Sequence, residues 1–289
     1  MYINFVDSDS DVTLEWCKKY NFNMISMPYS IDGKEVFPYV DFKKFEYKKY
    51  YDLLRGGVLP NTSALNKDTY IKYFEPVLAA GNDVFYIHFS RKMSATFTSM
   101  DQAIDELLKK YPERKFLLVN TKAITALSYL ICDECARRLK DGMSHEDVKK
   151  WVDEEALHFT IYFFADDLKF FKHTGRVSGL AATMGTVIGI RPIIYMNDEG
   201  SMVSISKAVG RQKAIDALIN YVETLGDHLN DYKVVVGHTD SESIAKEIVQ
   251  KLKNKFGSNL NIETVIVNPT AGAHCGPNGV GIAFHAIHR

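Results

Sequence analysis

Short apolar runs alternate with segments of helical periodicity through the first half of the chain. Tyr2 to Val6, residues 82–89 (NDVFYIHF) and Lys115 to Val119 have the length and composition of strands. Between and after them, apolar residues recur at helical spacing from Phe97 to Tyr111 and from about Ile124 to Leu139. This alternation predicts an α/β fold with a mostly parallel sheet and helices on its faces.

The pattern changes near residue 158. Residues 159–165 (FTIYFFA) fit a strand, and a helix is expected over Ser178 to Ile188. Arg191 to Met196 and Ser201 to Ser206 fit two strands joined by a turn that contains glycine, which is typical of a β-hairpin. An antiparallel hairpin within an α/β segment predicts a mixed sheet for the second half of the chain.

The length of 289 residues is sufficient for two domains. We predict an N-terminal, mostly parallel α/β domain at residues 1–157 and a C-terminal α/β domain with a mixed sheet at residues 158–289. The formal net charge of −1 argues against a nucleic-acid partner, which would favour a basic excess. No run reaches ~18 uninterrupted apolar residues, and the first residues lack a basic segment. We therefore expect a cytoplasmic protein without an integral membrane segment.

Two of the four cysteines form a Cys-x-x-Cys pair, Cys132 and Cys135. Their surroundings predict a helix interior, whereas a redox pair should open a helix, where the dipole lowers the thiol pKa. A zinc site would need two further ligands, for which only the neighbours His274 and Cys275 are candidates. We expect a structural role for the pair, no metal site and no cofactor.

An acidic run, Asp7-Ser-Asp9-Ser-Asp11, follows the first strand. It fails as an EF-hand loop, because Val12 stands at the position of the required glycine and Lys18 at that of the bidentate glutamate. The interpretation that we favour is a solvated turn whose carboxylates cap the next helix.

The alternative for the same run is a haloacid-dehalogenase-like phosphotransferase. Asp9-x-Asp11-x-Thr13 fits the DxDxT pattern, in which the first aspartate attacks phosphorus and forms an aspartyl-phosphate. The acidic partner for Mg²⁺ would come from the Asp166-Asp167 pair. Short motifs of this kind often match by chance.

Hydroxyl side chains cluster at two further places. Thr62 and Ser63 lie in the polar segment 60–63, which we predict to be a turn, and Ser90, Ser94 and Thr96 lie between a strand and an amphipathic helix. Hydroxyls at the N-terminus of a helix are suited to an uncharged anion cradle. By spacing alone, simple helix capping explains them better.

A glycine-rich segment at residues 271–279 surrounds His274. Its glycines permit the close approach of a ligand to the backbone, but their spacing fits neither a P-loop nor a dinucleotide-binding fingerprint. From spacing alone, His274 has no assigned role.

Taken together, seven segments in order resemble the DegV family. They are VDSDSD at residues 6–11, PNTSA at 60–64, HFSRKMSATF at 88–97, DDLKFFKHTGRVSG at 166–179, IGIRPIIYMNDEGSM at 188–202, SKAVGRQKA at 206–214 and GAHCGPNGVGI at 272–282. The resemblance implies two α/β domains with a long-chain fatty acid bound between them. It also implies a carrier without catalysis of its own, whose bound acid is phosphorylated by a separate fatty-acid kinase subunit.

The resemblance also implies site residues. Thr62 and Ser94 match the residues that hold the carboxylate, and His274 matches a histidine near the same head group. We expect Ser63 and Thr96 to contribute to ligand binding with them. Arg176, Lys207 and Arg211 lie in family-like segments and are predicted to dock the kinase. Arg91-Lys92 depart from the family, whose members tend to have small residues there.

Overall fold

The computed structural model describes residues 1–180 and 189–289. Its first half contains a four-stranded sheet in which every pairing is parallel. The strands are β1 (Tyr2–Asp7), β2 (Phe22–Ile25), β6 (Asp83–His88) and β7 (Phe116–Asn120), in the order β2-β1-β6-β7. The predicted parallel α/β organisation of this half is thus confirmed.

Helices lie between these strands and after the last of them, as the alternating pattern predicted. They are α1 (Leu14–Tyr20), α2 (Tyr47–Arg55), α3 (Lys67–Ala79), α4 (Thr96–Lys110), α5 (Thr125–Lys140) and α6 (His145–Glu155). The side chain of Thr13 caps α1 by accepting from the Trp16 amide, and Ser144 caps α6 in the same way.

A small antiparallel sheet lies between α1 and α3, and sequence patterning did not anticipate it. Its strands are β3 (Tyr29–Ile31), β4 (Lys34–Val36) and β5 (Asn61–Thr62), in the order β4-β3-β5. The predicted turn at residues 60–63 is therefore wrong in part, because Asn61 and Thr62 pair with Ser30 and Tyr29. A strand of two residues has no periodicity to detect, and its partner lies thirty residues earlier in the chain.

The second half forms a seven-stranded mixed sheet, as predicted. Its strands are β8 (Phe159–Phe164), β9 (Val177–Ser178), β10 (Ile190–Met196), β11 (Met202–Val209), β12 (Val234–His238), β13 (Ile262–Ile266) and β14 (Val280–His285), in the order β13-β12-β14-β8-β10-β11-β9. The predicted hairpin is β10-β11, with one irregularity in register between Ile193 and Ile194.

The described part of this half also contains helices α7 (Lys169–Thr174), α8 (Arg211–Leu225), α9 (Glu242–Phe256) and α10 (Pro269–Cys275). A helix was expected over residues 178–188, but Ser178 is the last residue of β9. Residues 181–188 lie outside the described residues. In the part of the chain that is described, no helix combines the length and apolar character needed to cross a membrane.

Helix α5 is one of the elements that join the two halves. It contacts β8, β12 and β14 of the mixed sheet, and residues 126–136 are buried without interruption. Cys132 and Cys135 are among them as free, fully buried thiols, which agrees with the structural role expected for them. One apolar core contains residues of both sheets, so the domain boundary at residues 157/158 stays a prediction.

Candidate functional site

A deep cavity lies between the parallel and the mixed sheets. It contains about 1130 Å³ of empty space, counting the part that is open to solvent. Side chains from both halves form its wall, most of them apolar, including Met27, Phe89, Met93, Ile161, Phe163, Phe171, Met196 and Met202. Such a wall suits a long apolar ligand.

Polar side chains are concentrated where the cavity wall reaches the surface. We call this region the mouth and define it by Thr62, Ser63, Ser94, Arg176 and His274. Ser63 and Arg176 are exposed, whereas the other three are half-buried. Arg176 is the one cation among the five at neutral pH, so the other groups offer hydrogen bonds without a full charge.

His274 and Thr62 contact each other at the mouth. Nε2 of His274 lies 3.1 Å from Oγ1 of Thr62, while Nδ1 of His274 is buried without a hydrogen-bond partner. Burial, reinforced by the nearby Arg176 and His173, lowers the pKa of His274 to about 4. The imidazole is thus neutral at pH 7, and its Nδ1 has no hydrogen-bond partner within the described protein.

Ser94 and Ser63 present hydroxyls to the same region. Ser94 Oγ accepts a hydrogen bond from the Thr96 amide at 3.2 Å and retains its own proton for a ligand. Ser63 donates to the carboxylate of Glu35 on β4. The structure therefore brings Thr62, Ser63, Ser94 and His274 to one region of the cavity wall. Thr62 and His274 are 212 positions apart in the sequence.

Thr96 is placed differently. It is buried and lies behind the cavity wall, where Oγ1 accepts from the Leu65 amide at 3.1 Å and contacts the Tyr70 hydroxyl at 3.0 Å. Its hydroxyl thereby fixes the chain that follows Thr62. Ser90 is also buried and donates to the carbonyl of Gly200 at 2.7 Å.

The acidic run is not a solvated turn, and the favoured interpretation of it is wrong. Asp7, Asp9 and Asp11 are 0%, 6% and 5% exposed, and the residues between Asp7 and Asp11 form a 3₁₀ turn. Helix α1 is capped by Thr13 instead of by these carboxylates. Residues distant in sequence cover the run, which a local pattern cannot reveal.

Two of the three carboxyls have firm partners. Asp7 accepts from the Phe89 amide at 3.0 Å and from the Tyr86 hydroxyl at 3.1 Å. Asp11 accepts from the backbone and side-chain nitrogens of Asn268, each at 2.8 Å. Burial nevertheless raises the pKa of Asp7 and of Asp11 to about 7.

Asp9 has no such partner and faces the cavity. It is part of the cavity wall, and its Oδ1 is buried without a hydrogen bond. Burial, with the neighbouring carboxylates of Asp7 and Asp11, raises the pKa of Asp9 well above its usual range. The sequence pattern around Asp9 indicated a nucleophile or a helix cap, and no local signal indicated a cavity residue.

The arrangement does not favour the phosphotransferase alternative. Asp166, its proposed metal partner, is bound by Arg191 at 2.6 Å and by Arg211, and it is not part of the cavity wall that contains Asp9. Within residues 1–180 and 189–289, no three His, Cys, Asp or Glu side chains are grouped so that they could hold a metal ion.

The residues predicted to dock a kinase lie on three elements. Arg176 is at the mouth, Lys207 is exposed on β11, and Arg211 begins α8. Arg211 is exposed but paired with Asp166, which compensates its charge.

Comparison with known proteins explains why these features occur together. The family model for "uncharacterised protein, DegV family" matches residues 5–286, almost the whole chain. The chain belongs to the DegV family. A DegV domain-containing protein of Clostridium perfringens is 29% identical over 283 residues, which are 98% of this chain and 97% of that protein.

Solved structures share the fold at lower sequence identity. A stearic acid-binding protein of Eubacterium ventriosum has a TM-score of 0.86 and 22% identity, covering 98% of this chain and 97% of its own. The fatty acid kinase (Fak) B3 protein of Streptococcus pneumoniae, loaded with linoleic acid, has a TM-score of 0.81 and 14% identity, covering 99% of both chains. These similarities establish the two-sheet α/β architecture of this DegV family member.

Proposed function

We propose that this DegV family protein binds a long-chain fatty acid in its cavity and presents the carboxylate to a separate kinase, which forms the acyl-phosphate. The observation that carries this proposal is the mouth itself. Thr62, Ser94 and His274 lie together where an apolar cavity reaches the surface. An apolar interior with a few convergent polar groups at one end matches an amphiphile with one polar head.

The wall and the mouth have different energetic roles in this proposal. Burying an acyl chain gains about 0.8 kcal/mol per methylene, so about a dozen methylenes contribute on the order of 10 kcal/mol before the costs of association. Affinity then comes mainly from the tail. The mouth orients the carboxylate and leaves it accessible for reaction.

Uncharged donors suit this task. The hydroxyls of Thr62 and Ser94 can each donate one hydrogen bond to a carboxylate without a buried counter-ion. Arg176 is exposed at the same place and adds positive potential without enclosing the head group. Two relatives support the assignment by what they bind, since one is a stearic acid-binding protein and another holds linoleic acid.

Mass spectrometry of the purified protein tests ligand binding directly. We expect a copurified fatty acid of roughly fourteen to eighteen carbons, because each buried methylene adds to affinity. If denatured extracts contain no lipid, and added fatty acid does not bind to the delipidated protein, the proposal is wrong.

The kinase step is tested by separating binding from phosphorylation. Because His274 adds orientation and the tail supplies affinity, His274→Ala should bind fatty acid almost normally but form much less acyl-phosphate with a cognate kinase. Ser94→Ala should impair both activities, because the carboxylate loses a direct donor. Equal proportional losses in His274→Ala would reduce His274 to an ordinary ligand contact.

Docking through the basic residues is testable at Arg211. Arg211→Glu should weaken kinase-dependent acyl-phosphate formation and remove its salt dependence, with fatty-acid affinity unchanged. Lys213→Glu is a matched control, because Lys213 is also exposed on the first turn of α8. Unchanged phosphorylation kinetics in Arg211→Glu would remove this residue from the docking surface.

A further inference from the structure

The carboxyl group of Asp9 lies inside the proposed lipid cavity without a hydrogen bond from the described protein. The residue is 94% buried, since 6% of it is exposed, and it belongs to the cavity wall. Its Oδ1 is fully enclosed and unpartnered. Leaving a buried polar group unsatisfied is unfavourable, so an unpaired carboxyl in this place indicates a partner that the protein does not supply.

The beginning of α5 forms the adjoining wall. Ile124, Thr125 and Ala126 line the same cavity, and the helix cap at Ile124 provides no side-chain hydrogen bond. The 3₁₀ turn that carries Asp9 packs on α5, where Ser10 Oγ lies 2.9 Å from Ser128 Oγ. The first amides of a helix have no partner within the helix and favour an oxygen acceptor.

Asp9 and the start of α5 therefore offer complementary groups. A carboxyl can donate through its proton and accept through its other oxygen, while amides only donate. Thr125 adds a hydroxyl that makes no side-chain hydrogen bond among the described residues. A hydroxyl group is the small substituent that can use both kinds of partner, whereas a methylene uses neither.

We propose that Asp9 and the N-terminus of α5 form a second polar subsite inside the cavity, which binds a hydroxyl group carried on the acyl chain. The cavity then accepts a long-chain fatty acid that carries a hydroxyl group at one particular position. This inference rests on the proposed function, because the acyl chain must occupy the cavity to bring its hydroxyl to Asp9. The subsite adds to that function one position on the acyl chain at which a hydroxyl group can be bound.

A series of stearic acids that differ only in the position of one hydroxyl tests the subsite. In most positions the hydroxyl is buried without a partner and should weaken binding about tenfold or more relative to unsubstituted stearic acid. At the position that reaches Asp9, the dissociation constant should stay within about threefold of that of stearic acid or fall below it. Titration of the delipidated protein measures both.

Two substitutions and a control locate the effect. In Asp9→Ala, the hydroxyl position that reaches residue 9 should no longer differ from the other positions. A hydroxyl at that position should then weaken binding about tenfold, as it does elsewhere on the acyl chain. Asp9→Asn keeps a donor and an acceptor in the same place and should retain the exception. Asp105→Ala removes an exposed carboxylate of α4 that is not part of the cavity wall, and it should leave the pattern unaltered.

The outcomes separate this inference from the proposed function. If stearic acid itself does not bind, the fatty-acid proposal fails. If stearic acid binds but every hydroxyl position weakens binding alike, or the exception persists in Asp9→Ala, the subsite is overturned and a water molecule is the better partner for Asp9. The wild-type series decides the question even if Asp9→Ala does not fold.

Discussion

Two polar regions of one cavity wall differ in the hydrogen-bond partners of their side chains. At the mouth, Thr62 and His274 contact each other, Ser94 accepts from a backbone amide, and solvent reaches part of the surface. In the interior, Asp9 has no partner and sits between two other buried carboxyls. Among the residues that define the mouth, Nδ1 of His274 is the one side-chain atom that is buried without a partner in the described part of the chain, whereas in the interior the whole carboxyl group of Asp9 lacks one.

The difference assigns separate roles to the two regions. Substitutions at the mouth should change ligand binding more than folding, because its side chains are exposed or half-buried. Substitutions in the acidic run should change folding first, since Asp7 and Asp11 accept from the strand end at Phe89 and from Asn268. Stability and affinity measured on the same variants can contradict this division.

The largest expected effect is the dependence of stability on pH. Burial raises the pKa of Asp7 and Asp11 from about 4 to about 7, so folding favours their protonated forms. The resulting stability is fully present below pH 4 and is lost as the pH rises through 7, on the order of 4 kcal/mol for each group. Urea unfolding from pH 4 to pH 8 should show this decline. A flat profile would mean that hydrogen bonds to the ionised carboxylates offset burial.

The variant Asp9→Asn tests the contribution of Asp9 to the same pH dependence of stability. Asparagine cannot ionise, so the variant should gain stability over the wild type, and the gain should be greater at pH 8 than at pH 5. We also expect no Mg²⁺-dependent phosphatase activity in the wild type. A measurable phosphatase rate that disappears in Asp9→Asn would instead restore the phosphotransferase hypothesis.

Asp11→Ala should have the next largest effect. At pH 4, where burial keeps Asp11 protonated in the folded protein, the variant leaves the backbone and side-chain nitrogens of Asn268 without their acceptor, which should lower the free energy of unfolding by about 2–4 kcal/mol. Asp11→Asn keeps an acceptor oxygen and is the matched control. Chemical denaturation distinguishes them, and equal losses in both variants would show that the charge matters more than the contact.

Ser94→Ala should weaken fatty-acid binding by about 1.5–3 kcal/mol, the contribution of a hydrogen bond to a charged acceptor. Ser90→Ala is the control from the same hydroxyl cluster. It removes the bond to Gly200 and should lower stability while leaving affinity unchanged. If Ser90→Ala weakens binding as much as Ser94→Ala does, the mouth is not distinguished from its supporting structure.

The smallest effect concerns protons at His274. In the ligand-free protein, burial beside Arg176 lowers the pKa of His274 to about 4. A carboxylate bound next to it should raise that pKa. Binding should therefore take up a fraction of a proton, more at pH 5 than at pH 7. Calorimetry in buffers of different ionisation enthalpy measures this uptake. If proton uptake on binding persists in His274→Gln, another group takes up the proton.

Sequence patterning predicted the elements that depend on local order. Three of the four parallel strands, the hairpin β10-β11 and the Cys-x-x-Cys helix follow from periodicity and turn residues within short windows, whereas β2 was not predicted. The small sheet β4-β3-β5 was missed because β5 has two residues and gains its identity from pairing with β3. Local rules cannot detect such a strand.

The candidate site was less accessible to these rules. The choice of Thr62, Ser94 and His274 came from family resemblance, and the structure brings them together without testing ligand contact. Thr96 shared the same local signal as Ser94, yet its side chain points to Leu65 and Tyr70. The burial of Asp9 depends on α5, more than a hundred residues away, so its exposure could not be inferred from the acidic run.

The position of α5 also bears on how fast a ligand can be exchanged. This helix is buried against the mixed sheet and belongs to a core that both halves share, so hinge opening of the two halves would break that core. If a fatty acid binds as proposed, it would enter and leave through the mouth, past Thr62 and Ser94. We would then expect local motion of a few side chains and of the short strand β5 to limit the rate of ligand release.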